Sequence, residues 1–160
     1  MHTHTTSDGA TFNFSKASVL ILDANALFLD LVTGVLAGFG FRRITRCSEF
    51  DVAAATVKAR AFDLILLDPY PHNEAAYQLI RDLRETGHNM ATPILIITGH
   101  TYLRLVADTK QCGADFVVAK PFSMGGLLDR VLWVAKLENR HNGLVAPEAP
   151  KGRVFGAQPW

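Results

Sequence analysis

Residues 62–70 read FDLILLDPY, and this stretch shows the pattern that decides the fold. Its centre, LILL at 64–67, is a run of four apolar residues, which is too short for a helix. A continuous apolar run, as opposed to an alternating one, is typical of a strand buried on both faces of a parallel sheet. Three similar runs and one weaker run predict four more strands: VLIL at 19–22, RRITRC at 42–47, ILII at 94–97 and FVVA at 116–119.

The segments between these runs carry apolar residues at helical spacing. Asn25 and Ser48 are candidate N-caps of the first two helices, and Gly87 and Gly113 are candidate stops of the third and fourth. Five strands that alternate with helices predict an α/β fold with a parallel sheet and right-handed crossovers. The predicted helices are Asn25–Gly38, Glu49–Arg60, Glu74–Glu85, Thr101–Cys112 and Met124–Leu137.

The composition is that of an ordinary globular protein. The chain has 160 residues, and 16 Lys+Arg stand against 15 Asp+Glu, for a formal net charge of +1. This balance gives no electrostatic reason to expect nucleic acid or an anionic membrane as a partner. Cys47 and Cys112 are far apart and form no CxxC pair, which argues against a disulfide framework and against a zinc site.

The length predicts one folded domain with short extensions. We expect that domain at 17–137, between a flexible N-terminal segment at 1–16 and a flexible tail at 138–160, where prolines and glycines replace the periodic pattern. No apolar run approaches the roughly 18 residues of a membrane span. The first residues also lack the basic start and apolar stretch of a signal peptide, so the expected location is the cytoplasm.

A polar residue follows or ends each of the four strong apolar runs. These residues are Asp23, Asp68, Thr98 and Lys120. In open α/β sheets the ligand crevice lies at the carboxyl ends of the strands, so the pattern predicts that all four meet in one crevice. Each alone is commonly a turn former, a cap or a solvated side chain. Together, clustered carboxylates favour a cation, a lysine beside them favours an anion such as phosphate, and an aspartate can hold a phosphoryl group as an acyl phosphate.

Four segments, in this order and at these separations, resemble the receiver domain of two-component signalling. They are VLILDAN at 19–25, FDLILLDPY at 62–70, PILIITGH at 93–100 and GADFVVAKPF at 113–122. The resemblance covers most of the chain. It implies a flavodoxin-like (βα)5 fold, doubly wound, with a five-stranded parallel sheet in the order 2-1-3-4-5.

The resemblance also implies roles for individual residues. Asp68 would be the phosphoacceptor, Thr98 would bind a phosphoryl oxygen, and Lys120 would pair with the phosphate and with the acceptor carboxylate. The peptide bond before Pro121 would be cis.

The resemblance also implies a magnesium site. Asp23, Asp68 and the backbone carbonyl of Tyr70 would hold Mg²⁺, which prefers oxygen ligands. The family usually has a second acidic residue where this chain has Ala24, and the alanine side chain offers the metal no carboxylate. We therefore expect weak Mg²⁺ binding, since loss of even an outer partner weakens metal sites by ~10–100-fold.

Two further positions depart from the family pattern. The loop after Asp68 reads PYPHNEAA at 69–76, with two prolines and without the usual glycine. Val117 stands where the family often has an aromatic residue that moves with the threonine. Tyr102, at the predicted start of the fourth helix, is a candidate substitute.

The first predicted helix contains ALFLDLVTGVL at 26–36 and is apolar nearly all round. Such a helix is buried on more than one side. One interpretation is packing against a neighbouring helix or the tail. The other is a protein interface for a homodimer or a kinase, with four candidate residues: Phe28, Leu29, Val32 and Leu36.

These features lead to a stand-alone response regulator receiver as the first hypothesis. It would take a phosphoryl group from a histidine kinase or a phosphotransfer protein and signal to a downstream partner by protein–protein contact. The alternative is a degenerate receiver that binds or dimerises without phosphorylation. An aspartate-nucleophile phosphatase is disfavoured, because it needs an acid two positions after the nucleophile, where this chain has Asn25 and Tyr70. We therefore predict that the protein is not an enzyme.

Overall fold

The computed structural model describes the backbone of residues 14–141 and of the pairs 4–5, 11–12 and 157–158, and the side chains of residues 14–133. Five parallel strands form its centre. They are β1, Ser18–Leu22; β2, Arg43–Cys47; β3, Leu64–Leu67; β4, Ile94–Thr98; and β5, Phe116–Ala119. One helix follows each strand: α1, Ala26–Gly38; α2, Phe50–Ala59; α3, Asn73–Glu85; α4, Leu105–Cys112; and α5, Met124–His141.

The strands lie in the order β2-β1-β3-β4-β5, and every neighbouring pair among them is parallel. The predicted doubly wound sheet with order 2-1-3-4-5 is therefore confirmed. The sheet also has a short sixth strand, Ala157–Gln158, which pairs antiparallel with β5. Near the other terminus, His4–Thr5 pairs antiparallel with Thr11–Phe12 as a separate ladder.

The continuous apolar runs are explained by two cores, one on each face of the sheet. Successive strand residues point to opposite faces, so Leu20 belongs to one core and Ile21 to the other. The first core lies beneath α2, α3 and α4. The second lies beneath α1 and α5 and contains Leu36 and Leu127, which are fully buried.

The helix ends confirm Asn25 as the cap of α1 and Gly113 as the stop of α4, and they correct two other predictions. The side chain of Asn25 accepts hydrogen bonds from the first turn of α1, as a cap should. Helix α2 is preceded by Glu49 without a side-chain cap bond, so Ser48 is not its cap. Helix α4 begins at Leu105 and not at Thr101, because the Leu105 N–H bonds back to the carbonyl of Tyr102 in a turn.

The predicted interface on α1 is wrong for three of its four residues. Leu29, Val32 and Leu36 are buried against the sheet, because the stripe they form is the one that covers the core. The apolar residues that α1 exposes are instead Leu27, at 76%, and Leu31, at 48%.

The predicted flexible segments, 1–16 and 138–160, lie mostly outside the described residues. Helix α5 continues past its predicted end at Leu137 and ends at His141. Within the part of the chain that the structure describes, no helix is both long enough and apolar enough to cross a membrane.

Candidate functional site

The site lies at the carboxyl end of the parallel sheet. Asp23, Asp68 and Lys120 each follow the last residue of a strand, and Thr98 ends β4. Backbone hydrogen bonds extend the ladders one residue beyond the strands. The Asp68 N–H donates to the Leu22 carbonyl at 2.9 Å, and the Lys120 N–H donates to the Thr98 carbonyl at 2.9 Å. The sheet therefore fixes the backbone positions from which the Asp68 and Lys120 side chains project.

Lys120 bridges the two aspartates. Its Nζ lies 2.5 Å from Oδ2 of Asp23 and 2.9 Å from Oδ2 of Asp68. The side chains of all three residues are only 7% exposed. Charged groups this deeply buried need partners, and here each carboxylate finds the same ammonium. Two carboxylates and one ammonium leave the trio with a formal charge of −1.

The second oxygen of each aspartate is also bonded. Oδ1 of Asp23 accepts from the Asn25 N–H at 2.8 Å, and Oδ1 of Asp68 accepts from the Tyr70 N–H at 3.0 Å. These local bonds to the backbone two residues ahead are the ones that aspartates commonly make in turns. All four carboxylate oxygens therefore have a partner in the folded chain.

Thr98 lies fully buried at the end of β4. Its Oγ1 accepts a hydrogen bond from the His100 N–H at 3.1 Å. This bond uses the hydroxyl oxygen as an acceptor, so the hydroxyl hydrogen is still available to donate. Thr98 thus has the chemistry to bind an anion that enters the site.

Phe28, on the first turn of α1, contacts the ammonium from a third direction. Nζ of Lys120 lies 4.1 Å from the centroid of the Phe28 ring, within the range of a cation–π interaction. Phe28 is half-buried. The sequence pattern predicts Phe28 as part of a protein interface, whereas the structure places it in the site.

A cavity of about 560 Å³ opens above the trio. Tyr70 and His100 form part of its wall, and their rings stack with centroids 3.5 Å apart and planes 5° apart. A second cavity, of about 300 Å³, lies on the other side of Asp68 and is lined by Ser48, Glu49 and His72 among others. Ala24 lines both cavities. Asp68 is therefore reachable from solvent although its side chain is largely buried.

Two proline peptide bonds near the site are cis. One is Lys120–Pro121, which the resemblance implies, and the other is Tyr70–Pro71, which sequence analysis did not predict.

A family model described as response regulator receiver domain matches residues 19–132. The chain belongs to this family. Its receiver domain contains every element from β1 into α5 and all the site residues described above. Receiver domains of this type are generally non-enzymatic signalling modules of two-component systems.

Curated relatives agree with the family assignment. The transcriptional regulatory protein YvrH of Bacillus subtilis is 29% identical over 116 residues, which cover 72% of this chain and 48% of YvrH. Protein PetR of Rhodobacter capsulatus is 32% identical over 117 residues, which cover 73% of this chain and 48% of PetR. The chain spans about half the length of these two relatives. Chemotaxis protein CheY-3 of Vibrio cholerae is 21% identical over 113 residues, 71% of this chain and 87% of CheY-3.

Solved structures show the same fold. Chemotaxis protein CheY4 of Vibrio cholerae superposes with a TM-score of 0.66 at 24% identity, covering 74% of this chain and 98% of CheY4. The receiver domain of an HD domain-containing protein from Pseudomonas fluorescens gives a TM-score of 0.71 at 16% identity, covering 85% and 98% of the two chains.

Receiver domains typically bind Mg²⁺ at their acidic pocket, so we tested whether the residues of this chain fit the ion. The side chain of Ala24 supplies no oxygen, and both aspartates already bond to Lys120. Among the described residues no group of three or more His, Cys, Asp or Glu could hold a metal. Mg²⁺ keeps several waters and is usually held through one or two carboxylates, and here the ammonium of Lys120 already pairs with both. The donor set as it stands does not fit a firmly held Mg²⁺.

Sequence reasoning missed two contributors to the site, Phe28 and His100. No spacing rule connects the first turn of α1 with the end of β5. The only signal for His100 was its place two residues after Thr98, in the loop that lines the predicted crevice.

Proposed function

We propose that this receiver domain accepts a phosphoryl group on Asp68 and signals by changing its protein contacts. The observation that carries the proposal is the buried ammonium of Lys120 between Asp68 and Asp23, beneath an open cavity. An ammonium in this place stabilises the charge of an incoming phosphoryl group, as preorganised charges in buried sites do.

The transfer itself is a substitution at phosphorus. A carboxylate oxygen of Asp68 forms a bond to the phosphorus atom, and the bond from phosphorus to the donor breaks. With acetyl phosphate the leaving group is acetate, so no additional proton is needed. In the product, Lys120 pairs with the phosphoryl oxygens and the Thr98 hydroxyl donates to one of them. Tyr70 and Pro121 frame the entrance, and Asp23 keeps Lys120 in place.

Several finer points belong to this proposal and rest on the family and on the sequence. The donor is a histidine kinase or a phosphotransfer protein, and the receiver acts in the cytoplasm without enzymatic activity of its own. Any contact of α1 with a downstream partner or a second copy uses Leu27 and Leu31, which are exposed. Mg²⁺ binds weakly, because Ala24 replaces a carboxylate and the backbone carbonyl of Tyr70 alone does not compensate for it.

A second function is favoured by one specific observation. All four oxygens of Asp23 and Asp68 have partners within the chain, so the site is already satisfied without phosphate or metal. A receiver of this kind can serve as a binding or dimerisation module that is never phosphorylated.

Intact-protein mass after incubation with acetyl phosphate separates the two functions. We expect the wild-type protein to gain one phosphoryl group and Asp68→Asn to gain none. Acetyl phosphate bypasses recognition by a kinase, so the result depends on the site alone. A wild-type mass that stays unchanged at every Mg²⁺ concentration would reject the first function and support the second.

A further inference from the structure

The site fits Mg²⁺ poorly, but it contains a cation of its own, the ammonium of Lys120. We propose that Phe28 is a positioning residue which, with Asp23 and Asp68, clamps Lys120 as the resident cation of the site, so that anion binding and transfer need little help from a divalent metal. The part about transfer rests on the function proposed above. The part about positioning does not.

The clamp surrounds the ammonium on three sides. The two carboxylate oxygens lie 2.5 and 2.9 Å from Nζ, and the Phe28 ring centroid lies 4.1 Å away. A lysine side chain has many rotamers in solution, and these contacts select one of them.

The parts of the clamp also hold one another. Oδ1 of Asp23 binds the Asn25 N–H, and the Asn25 side chain accepts from the N–H groups of Leu27, at 3.0 Å, and Phe28, at 3.4 Å. Asp23 therefore fixes the start of α1, and this first turn carries the aromatic ring that faces Lys120. The cap therefore fixes where the backbone of Phe28 stands relative to Lys120.

Ala24 lowers the negative charge of the site, and this reduces the need for a metal ion. A carboxylate at this position would add a further negative charge beside Asp23 and Asp68, and a metal ion would be needed to balance it. With alanine there, one ammonium leaves the trio at a formal charge of only −1. The cation that faces an incoming phosphoryl group is then covalently part of the protein and does not have to be recruited.

Nuclear magnetic resonance tests the positioning directly and needs no phosphoryl donor. Protons above an aromatic ring resonate upfield, so we expect the Hε signals of Lys120 upfield of those of the exposed Lys58 and Lys110. Lys120→Arg assigns the signal. Phe28→Tyr retains the ring and should retain the shift, whereas Phe28→Leu should abolish it. Ordinary Hε shifts for Lys120 in the wild-type protein would overturn the clamp.

Phosphorylation by acetyl phosphate, with Mg²⁺ or with EDTA, tests whether phosphoryl transfer depends on a divalent metal. We expect the wild-type rates in the two conditions to differ by less than about tenfold, and Ala24→Asp to increase the dependence on Mg²⁺ by about tenfold or more. Phe28→Leu should lower the rate in EDTA by about tenfold or more, since small displacements of positioned groups are costly. Phe28→Tyr should restore the rate. Val52→Ala, at an exposed position on α2 that lines neither cavity, should leave it unchanged.

The outcomes separate the two proposals. Phosphorylation that EDTA abolishes in the wild-type protein would reject metal independence and leave Asp68 as the acceptor. A Phe28→Leu protein with wild-type rates and an unchanged Lys120 signal would reject the role of Phe28. If no variant is phosphorylated in either condition, the proposed function and the claim of metal independence both fail, while the Lys120 signal still decides whether Phe28 positions the lysine.

Discussion

The hydroxyl oxygens of Tyr77 and Tyr102 lie 2.9 Å apart and join the first half of α3 to the turn that precedes α4. Tyr77 is buried, and Tyr102 also donates to Oδ2 of Asp108 at 3.1 Å. The segment between Thr98 and α4 is thus held at both ends, by β4 and by this pair of hydroxyls. Movement of that segment has to work against these bonds.

Removing the hydroxyl of Tyr102 should destabilise the protein. In Tyr102→Phe the buried hydroxyl of Tyr77 loses this partner, and an unsatisfied buried hydroxyl costs about 1–3 kcal/mol. Urea denaturation would measure the change. Tyr70→Phe is the control, because the Tyr70 side chain is exposed and its hydroxyl should contribute less than about 0.5 kcal/mol. Equal stabilities of the two variants would show that the tyrosine pair contributes nothing.

The same tyrosine should make stability depend on alkaline pH. Burial, and then the hydrogen bond with Tyr77, raise the pKa of the Tyr102 hydroxyl above that of a free tyrosine. The unfolded chain loses this proton near pH 10, whereas the folded chain retains it to higher pH. The advantage of the wild-type protein over Tyr102→Phe should therefore be constant below about pH 10 and decrease above it. Denaturation at a series of pH values checks this, and an advantage that grew above pH 10 would contradict it.

Lys120 should matter more for stability than either of its partners. Lys120→Met leaves two buried carboxylates beside each other without a cation, and breaking a buried pair in this way costs about 3–5 kcal/mol. Asp68→Asn leaves Lys120 paired with Asp23 and should cost clearly less. Guanidinium denaturation of the two variants gives the comparison. A larger loss in Asp68→Asn would show that the ammonium is not what holds the trio together.

Replacing Arg84 on α3 with lysine should destabilise the protein. Its guanidinium donates to the carbonyls of Asn89, Met90, Thr92 and Gly113 and to Oδ2 of Asp115. A lysine has three donors on one atom and cannot reach this spread of acceptors. We expect Arg84→Lys to lower the free energy of unfolding by about 1.5–3 kcal/mol.

The matched control for Arg84 lies on the same helix. Arg81 bonds only to the exposed side chain of Gln78 among the bonds described. Arg81→Lys should therefore change stability by less than about 0.5 kcal/mol. Thermal or urea denaturation measures the stability of both variants. Similar losses would show that the five bonds of Arg84 contribute no more to stability than the bonds of Arg81.

The two sides of α1 should respond differently to truncation. Leu36 is fully buried, and Leu36→Ala should cost about 2–5 kcal/mol. Leu27 is exposed, and Leu27→Ala should leave stability nearly unchanged while reducing any contact that α1 makes with a partner. Denaturation measures the first effect and analytical ultracentrifugation at high concentration the second. A stable Leu36→Ala protein would mean that this side of α1 does not form the core.

The sequence predicted the fold well because its strongest pattern reflects burial on both faces. Runs such as LILL at 64–67 belong in a covered parallel sheet, and once the sheet order is known, Asp23, Asp68 and Lys120 must meet at one edge. Such meetings follow from topology alone.

The predictions from sequence are wrong where contacts between residues distant in the chain determine the structure. Helical spacing continues from Thr101 into α4, but the Leu105 N–H closes a turn on the Tyr102 carbonyl, and the Tyr102 hydroxyl bonds to Tyr77 on α3. The contact of Phe28 with Lys120 depends on how the first turn of α1 approaches the end of β5, and local pattern carries no information on it. On α1, periodicity showed too many apolar residues for one stripe but not which of them face solvent.

The bridge made by Lys120 also has a mechanical meaning. Asp23 follows β1, Asp68 follows β3 and Lys120 follows β5, so one side chain spans the carboxyl edge of the sheet and passes over β4. A change in the charge of Asp68 changes the partner of an ammonium that is attached to the end of β5. The acceptor in the middle of the sheet is thereby linked, through one side chain, to the last parallel strand.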